Sequence, residues 1–166
     1  MSDRPVLDRL DRKILNAIQR DSGQSNKDLA KRVGTSPPSC LRRVRRLRQL
    51  GLIAADIALI NREKVGGVVA VTTLNLSSHD MQSRDQLLKL IRSIPEITQC
   101  YMITGGEDML LISYLRRLED FEEVIAKTIS ECKVVAKLNT TIAYRTLKFE
   151  PFIVFEDTSW DELQIG

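Results

Sequence analysis

The chain has 166 residues, 43% of them hydrophobic, which is enough for folded cores in one domain or in two small ones. Its net charge of +3 hides an asymmetry, because residues 1–55 carry 13 Lys/Arg against 5 Asp/Glu and the remainder carries 12 against 17. A basic first third beside an acidic remainder argues for two modules, of which only the first should seek a polyanion.

No apolar run approaches the length of a bilayer span, and the opening MSDRPVLDRLDRK has no hydrophobic signal region. Cys40, Cys100 and Cys132 are widely spaced in apolar surroundings and read as buried thiols of a reducing compartment rather than a zinc site. The expectation is a cytoplasmic protein with no metal, no cofactor and no membrane partner.

Leu7, Leu10, Ile14, Ala17 and Ile18 recur at helical spacing and predict a first helix over about residues 8–20. Asp8 and Asp11 stand near its start, where the helix dipole favours negative charge. Asp21-Ser22-Gly23 interrupts the pattern. Ser25, with Asp28 three residues on, has the form of a capping box and opens a short helix that buries Leu29, Ala30 and Val33 and ends at Gly34.

Only Thr35 separates that helix from the stretch 36–51, SPPSCLRRVRRLRQLG, around which the rest of the chain is read. Ser36 can cap it, Pro37 suits its first position and Gly51 can close its end. Cys40, Val44 and Leu47 fall on one face, while Ser39, Arg42, Arg43 and Arg46 fall on another. Arg45 and Arg48 bring the arginines to five. Between Lys31 and Ala55 there is no Asp or Glu, so no sequence neighbour neutralises the run. A surface for nucleic acid fits better than a solvated face, since a planar guanidinium suits phosphates and guanine edges.

Two short helices meeting at a glycine-containing turn, with the basic one second, form the helix-turn-helix pattern, whose second helix enters the major groove of duplex DNA. Residues 52–61, LIAADIALIN, are apolar with an interruption at Ala55-Asp56 and predict the two short strands of a wing. The basic module thus spans 1–60, and 61–67, with its Gly-Gly pair, is a linker.

The second module repeats its own pattern. Residues 68–76 are β-rich, and Ser78-His79-Asp80 caps a helix that turns Leu87, Leu88, Ile91 and Ile94 inward until Pro95 stops it. Residues 97–104 form the next strand. After Gly105-Gly106-Glu107-Asp108 comes a strand over 109–115, then a helix packed through Leu118, Phe121, Val124, Ile125, Thr128 and Ile129, then a long strand over 138–149. Strand, helix, strand twice over is the ferredoxin-like βαββαβ arrangement, which makes 68–150 one module of an α+β chain. Right-handed crossovers place both helices on one sheet face and leave the other to a second copy. The acidic segment 151–166, with Glu156, Asp157, Asp161 and Glu162 around Trp160, is compatible with a docked tail or with a frayed end.

LDRLDRKIL at the start, SPPSCLRRVRRL in the arginine helix, the following GLI, and Gly105-Gly106-Glu107-Asp108 between two strands together resemble the leucine-responsive regulator/AsnC family of transcription factors. The resemblance covers nearly the whole chain and implies a DNA-binding homodimer that assembles to tetramers or octamers and responds to an amino acid or similar small effector held between subunits. It carries DNA contact onto Ser36, Pro37, Ser39, Arg42, Arg43 and Arg46, with Arg45 turned toward phosphate, and onto Ser25, Asn26 and Lys27 at the preceding helix start. It carries effector binding onto Tyr101, the turn Gly105, Gly106, Glu107 and Asp108, and Thr140, Thr141 and Ile142. In such a pocket the glycine N–H groups suit a carboxylate and Asp108 an α-ammonium group. The chain departs from the family at Gly106-Glu107, where an acidic then an aromatic residue is usual, and at AADIA, where a glycine-tyrosine pair is frequent.

A different class of function, a small-molecule module that tunes an enzyme, would account for the acidic half and leave the arginine helix without a purpose. A Gly-Gly tip between strands is also common hairpin chemistry. Catalysis ranks last: His79 sits beside a helix cap with no nucleophile near it in sequence, and the adjacent Glu107 and Asp108 show no paired acid and base.

Overall fold

The computed structural model describes residues 6–126, 129 and 132–155, and they fall into two compact units. One comprises residues up to 59 together with those from 149 onward; the other is 60–148.

The first unit opens with α1 (Arg9–Arg20), capped by Asp8. The Asp8 carboxylate accepts from the Asp11 N–H at 2.8 Å and the Asp11 carboxylate from the Asp8 N–H at 3.3 Å, which satisfies two of the helix's orphan donors. In α2 (Asn26–Val33), the Ser25 hydroxyl accepts from the Asp28 N–H, and Gly34 ends the helix with φ of 75°, a conformation that costs glycine least. Thr35 N–H then closes back onto the Ala30 carbonyl at 2.9 Å, and the chain enters α3 (Pro37–Gln49) within two residues. Ile14, Leu29, Ala30, Val33, Cys40 and Leu47 meet in one core, with Leu15, Ala17 and Ile18 beside them. The apolar positions expected from helical spacing are those that pack.

The wing is different. No strand forms over residues 52–61; Leu52 and Ile53 tuck against the helices, while Ile57, Leu59 and Ile60 stay exposed. A tight hairpin needs positive φ at its tip, and Ala55-Asp56 offers no glycine or asparagine to adopt it. The Asp56 carboxylate instead accepts from Arg48 Nη2 at 2.7 Å.

The end of the described chain returns to this unit. Asn16 exchanges two hydrogen bonds with the backbone of Phe155, its Nδ2 donating at 2.8 Å and its Oδ1 accepting at 3.1 Å. One turn later Gln19 does the same with Ile153, at 2.9 and 2.8 Å. Two side-chain amides thus supply what a neighbouring strand would, at alternate residues of an extended segment. Residues 151–155 are docked; the acidic residues 156–166, with Trp160, lie outside the described residues.

In the second unit the expected linker contains a helical turn, α4 (Arg62–Val65), capped by Asn61. Next come β1 (Val68–Leu76), α5 (Met81–Arg92) capped by Asp80, β2 (Ile97–Met102) and β3 (Met109–Leu115). A π-helical stretch, Phe121–Ala126, and β4 (Val135–Ala143) complete it. The four strands pair antiparallel in the order β2-β3-β1-β4, as the ferredoxin-like arrangement requires.

β1 has a nine-residue alternating burial pattern, and its core-facing Ala70, Leu74 and Leu76 join Leu87, Ile91, Ile94, Met109, Leu111, Leu115, Ile125 and Ile129 in the second core. Leu118, expected on the packed face of the second helix, is exposed and precedes that helix. Thr128 and the Val124 side chain lie outside the described residues.

β4 stops at Ala143 rather than running to residue 149. Its ladder partner β1 begins at Val68, with Val69 opposite Ala143, so only Val68 remains of that strand beyond this point. Gly67 fixes this start: it has φ of 121°, and a Cβ there would stand 2.7 Å from Tyr114 Oη and 2.8 Å from the Leu115 carbonyl.

Candidate nucleic-acid interface and ligand-binding turn

α3 is held by its buried face, Cys40 and Leu47, both fully buried, with Val44 beside them. At about 100° per residue, Arg42 stands opposite that face, Arg43 and Arg46 lie round it on the side of α1, and Arg48 and Arg45 lie round it on the other side. The ion pairs follow this geometry. Arg43 Nη1 donates to Asp8 Oδ2 at 2.5 Å and to Asp11 Oδ1 at 2.9 Å, and Arg46 Nη2 donates to Asp11 Oδ2. Arg48 pairs with Asp56 at 2.7 Å.

The absence of acids near the arginine run in sequence therefore does not leave the run unquenched. Two carboxylates three residues apart on the first helix meet two arginines three residues apart on the third. That matched spacing is the signal the sequence carries, beyond the favourable place of the two acids in the helix dipole. Arg43 and Arg46, expected to face DNA, pair with Asp8 and Asp11 of α1 and its cap. Neither Arg42 nor Arg45 takes part in the ion pairs among the described residues, and both are exposed.

The electrostatics agree. Burial pushes the Asp8 carboxyl up, but the Asp11 N–H and the Arg43 guanidinium outweigh it and hold it below the usual carboxylate range. The carboxylates of Asp8 and Asp11 push the Arg43 guanidinium up.

The smaller polar residues at the helix starts also have structural partners. Ser25 caps α2 and donates its hydroxyl to Asp28 Oδ2 at 2.5 Å, and Asn26 Nδ2 donates to the Pro37 carbonyl at 2.9 Å, which ties the turn. Ser36 caps α3 by accepting from the Ser39 N–H at 3.4 Å. Lys27 and Pro37 are exposed and Ser39 is half-buried.

In the second unit, Gly105 and Gly106 are exposed at the tip of the β2-β3 hairpin, closed by Ile103 N–H on the Asp108 carbonyl at 3.0 Å. Asn75 Nδ2 donates to the Gly106 carbonyl at 2.8 Å. Glu107 and Asp108 are half-buried. Asp108 is not the free carboxylate expected for an ammonium group. Its Oδ2 accepts from the Leu76 N–H at 2.7 Å and its Oδ1 lies 3.3 Å from His79 Nε2, so it clamps the end of β1 to the hairpin.

Within one chain the expected ligand residues are not gathered. Tyr101 lies on β2 and Thr140, Thr141 and Ile142 on β4, the two outer strands of the sheet. Thr140 faces inward, its hydroxyl 2.9 Å from that of the fully buried Thr72, and Ile142 packs against the core. By the alternation of the strands, Thr141 and Tyr101 face the open side, with Val69, Val71, Leu110 and Ile112.

Residues 7–54 match the family of winged helix-turn-helix DNA-binding domains, and residues 69–152 match the Lrp/AsnC ligand binding domain. The chain belongs to the Lrp/AsnC family of transcriptional regulators. It is 33% identical over 145 residues to the leucine-responsive regulatory protein of Escherichia coli K12, covering 86% of this chain and 87% of that one. It is 29% identical over 144 residues to the transcriptional regulator AzlB of Bacillus subtilis, covering 86% and 92%.

Among solved structures, a transcriptional regulator of Neisseria meningitidis in complex with L-Met superposes with a TM-score of 0.82 at 26% identity, over 89% of this chain and 96% of the other. E. coli AsnC gives 0.77 at 23% identity over 87% and 97%, a likeness of fold. This Lrp/AsnC chain is accordingly a transcriptional regulator and not an enzyme. No helix of the described residues is long and apolar enough to cross a membrane.

Proposed function

We propose that the chain regulates transcription by placing α3 of each copy in the major groove of duplex DNA, with Arg42 and Arg45 as the contacting cations, and that an amino acid tunes this binding through the second unit. The observation that carries the DNA half is a pair of exposed arginines, in no ion pair among the described residues, on the second helix of a helix-turn-helix. The effector class is supported by the matched ligand-binding domain and by the neisserial relative with L-Met.

The open sheet face supports self-association. Val69, Val71, Leu110, Ile112 and Tyr114 are half-buried there, and Lys137 at one end is the only charged residue on that side of the four strands. Because Tyr101 and Thr141 lie on opposite edges of one sheet, a ligand that touches both does so between copies. The hairpin tip would supply backbone N–H groups for the ligand's carboxylate, with Asp108 shaping the turn and not holding the ammonium group.

Mobility shift on the DNA upstream of the chain's own gene, with and without each amino acid, tests the whole reading. An amino acid that binds should also raise the melting point, since a ligand at 100 times its dissociation constant adds about 2.7 kcal/mol of stability. Absence of any DNA binding overturns the first half. Absence of any thermal shift across the amino acids overturns the second.

A further inference from the structure

α3 carries five arginines but does not present five charges. Arg48 is matched by Asp56, and Arg43 and Arg46 are matched by Asp8 and Asp11. Asp11 is fully buried and both of its oxygens are engaged, one by each of the two guanidiniums, while Asp8 adds a second acceptor for Arg43. Holding α1 against α3 does not require such a cluster. A buried ion pair of this kind stabilises little more than an apolar pair of similar volume, because desolvating the carboxylate opposes the attraction. Its distinctive effect is on charge: two long cationic side chains at the edge of the DNA-facing surface are turned back onto the protein.

A cation that reaches a phosphate adds affinity for every sequence alike, so each one that is freed raises binding to non-cognate DNA. We propose that Asp8 and Asp11 are specificity-determining residues, which hold Arg43 and Arg46 off the phosphate backbone and leave the duplex to Arg42 and Arg45. This rests on the DNA-binding reading above and names how its selectivity is set.

The test compares log affinity against log salt for the full chain on two duplexes of equal length, its own upstream DNA and a random sequence. In Asp8→Asn/Asp11→Asn, asparagine at position 8 still caps α1. With Arg43 and Arg46 both released, the slope should steepen by about 1.8, at about 0.9 for each new phosphate contact. Affinity for the random duplex should rise more than affinity for the upstream DNA, and the ratio between them should fall. Adding Arg43→Gln and Arg46→Gln to that variant should return the slope to that of the unmodified chain, and Asp11→Glu alone should keep it.

Circular dichroism establishes that the double variant is folded. If it is not, Asp11→Asn alone, which takes from Arg46 its carboxylate partner, should still steepen the slope by about 0.9. An unchanged slope with a lowered melting point would mean that the carboxylates only hold the fold, and the proposal falls. Salt-independent binding or no binding by the unmodified chain would instead remove the DNA-binding reading itself.

Discussion

The docked segment 151–155 gives a sharp test of how the first unit is held together. Asn16→Ala removes both hydrogen bonds to Phe155 and leaves that residue's N–H and carbonyl, in half-buried surroundings, without these partners. Each bond of this kind contributes about 1 kcal/mol net, so the loss should be about 2 kcal/mol. Gln19→Ala removes the equivalent pair at Ile153, where water can replace more of it because the bonds are exposed, and should cost about 1 kcal/mol. Amide hydrogen exchange reads this locally. At 1.4 kcal/mol per decade, the Phe155 amide should exchange about 30-fold faster in Asn16→Ala, while amides of β1 keep their rates. An unchanged Phe155 rate would refute the reasoning, because protection of that amide would then not come from Asn16.

Three further outcomes follow from single contacts. Gly67→Ala forces a side chain into positive φ and against Tyr114 and the Leu115 carbonyl, and should lower stability to denaturant by about 1–3 kcal/mol. Asp108→Ala deprives the part-buried Leu76 N–H of a charged acceptor and should cost about 1.5–3 kcal/mol in the same assay, with faster exchange at Leu76. Because the Asp8 carboxyl is held below its unfolded value, its contribution is present above that value, near pH 4, and is lost as pH falls through the lower folded value; a melting-temperature profile between pH 2 and 5 should be flatter in Asp8→Asn than in the unmodified chain.

How much of this was legible in the sequence depends on the range of the interaction. Helices and strands whose cause is local were readable: the Ser25, Ser36 and Asp80 caps, the Gly34 stop, the β-rich run Val68–Leu76 and the strand Met109–Leu115 stand where residue spacing puts them. What depends on a distant partner was not. β4 ends where β1 gives out, a limit written at Gly67, and not in the apolar run after Ala143. The arginine run reads as unquenched because the carboxylates that meet Arg43 and Arg46 lie 32 to 35 residues away in sequence. The Asp108 carboxylate looked available because its partner is a backbone N–H on another strand, which leaves no trace in residue type. On α3, the sequence placed the arginines but not which of them enter ion pairs.

The most direct test of the account is the salt dependence of DNA binding by Arg42→Ala/Arg45→Ala. Both residues are exposed, so the melting point should hold while the slope of log affinity against log salt becomes shallower by about 1.8. A double variant that binds with the slope of the unmodified chain would contradict the claim that these two arginines meet the duplex.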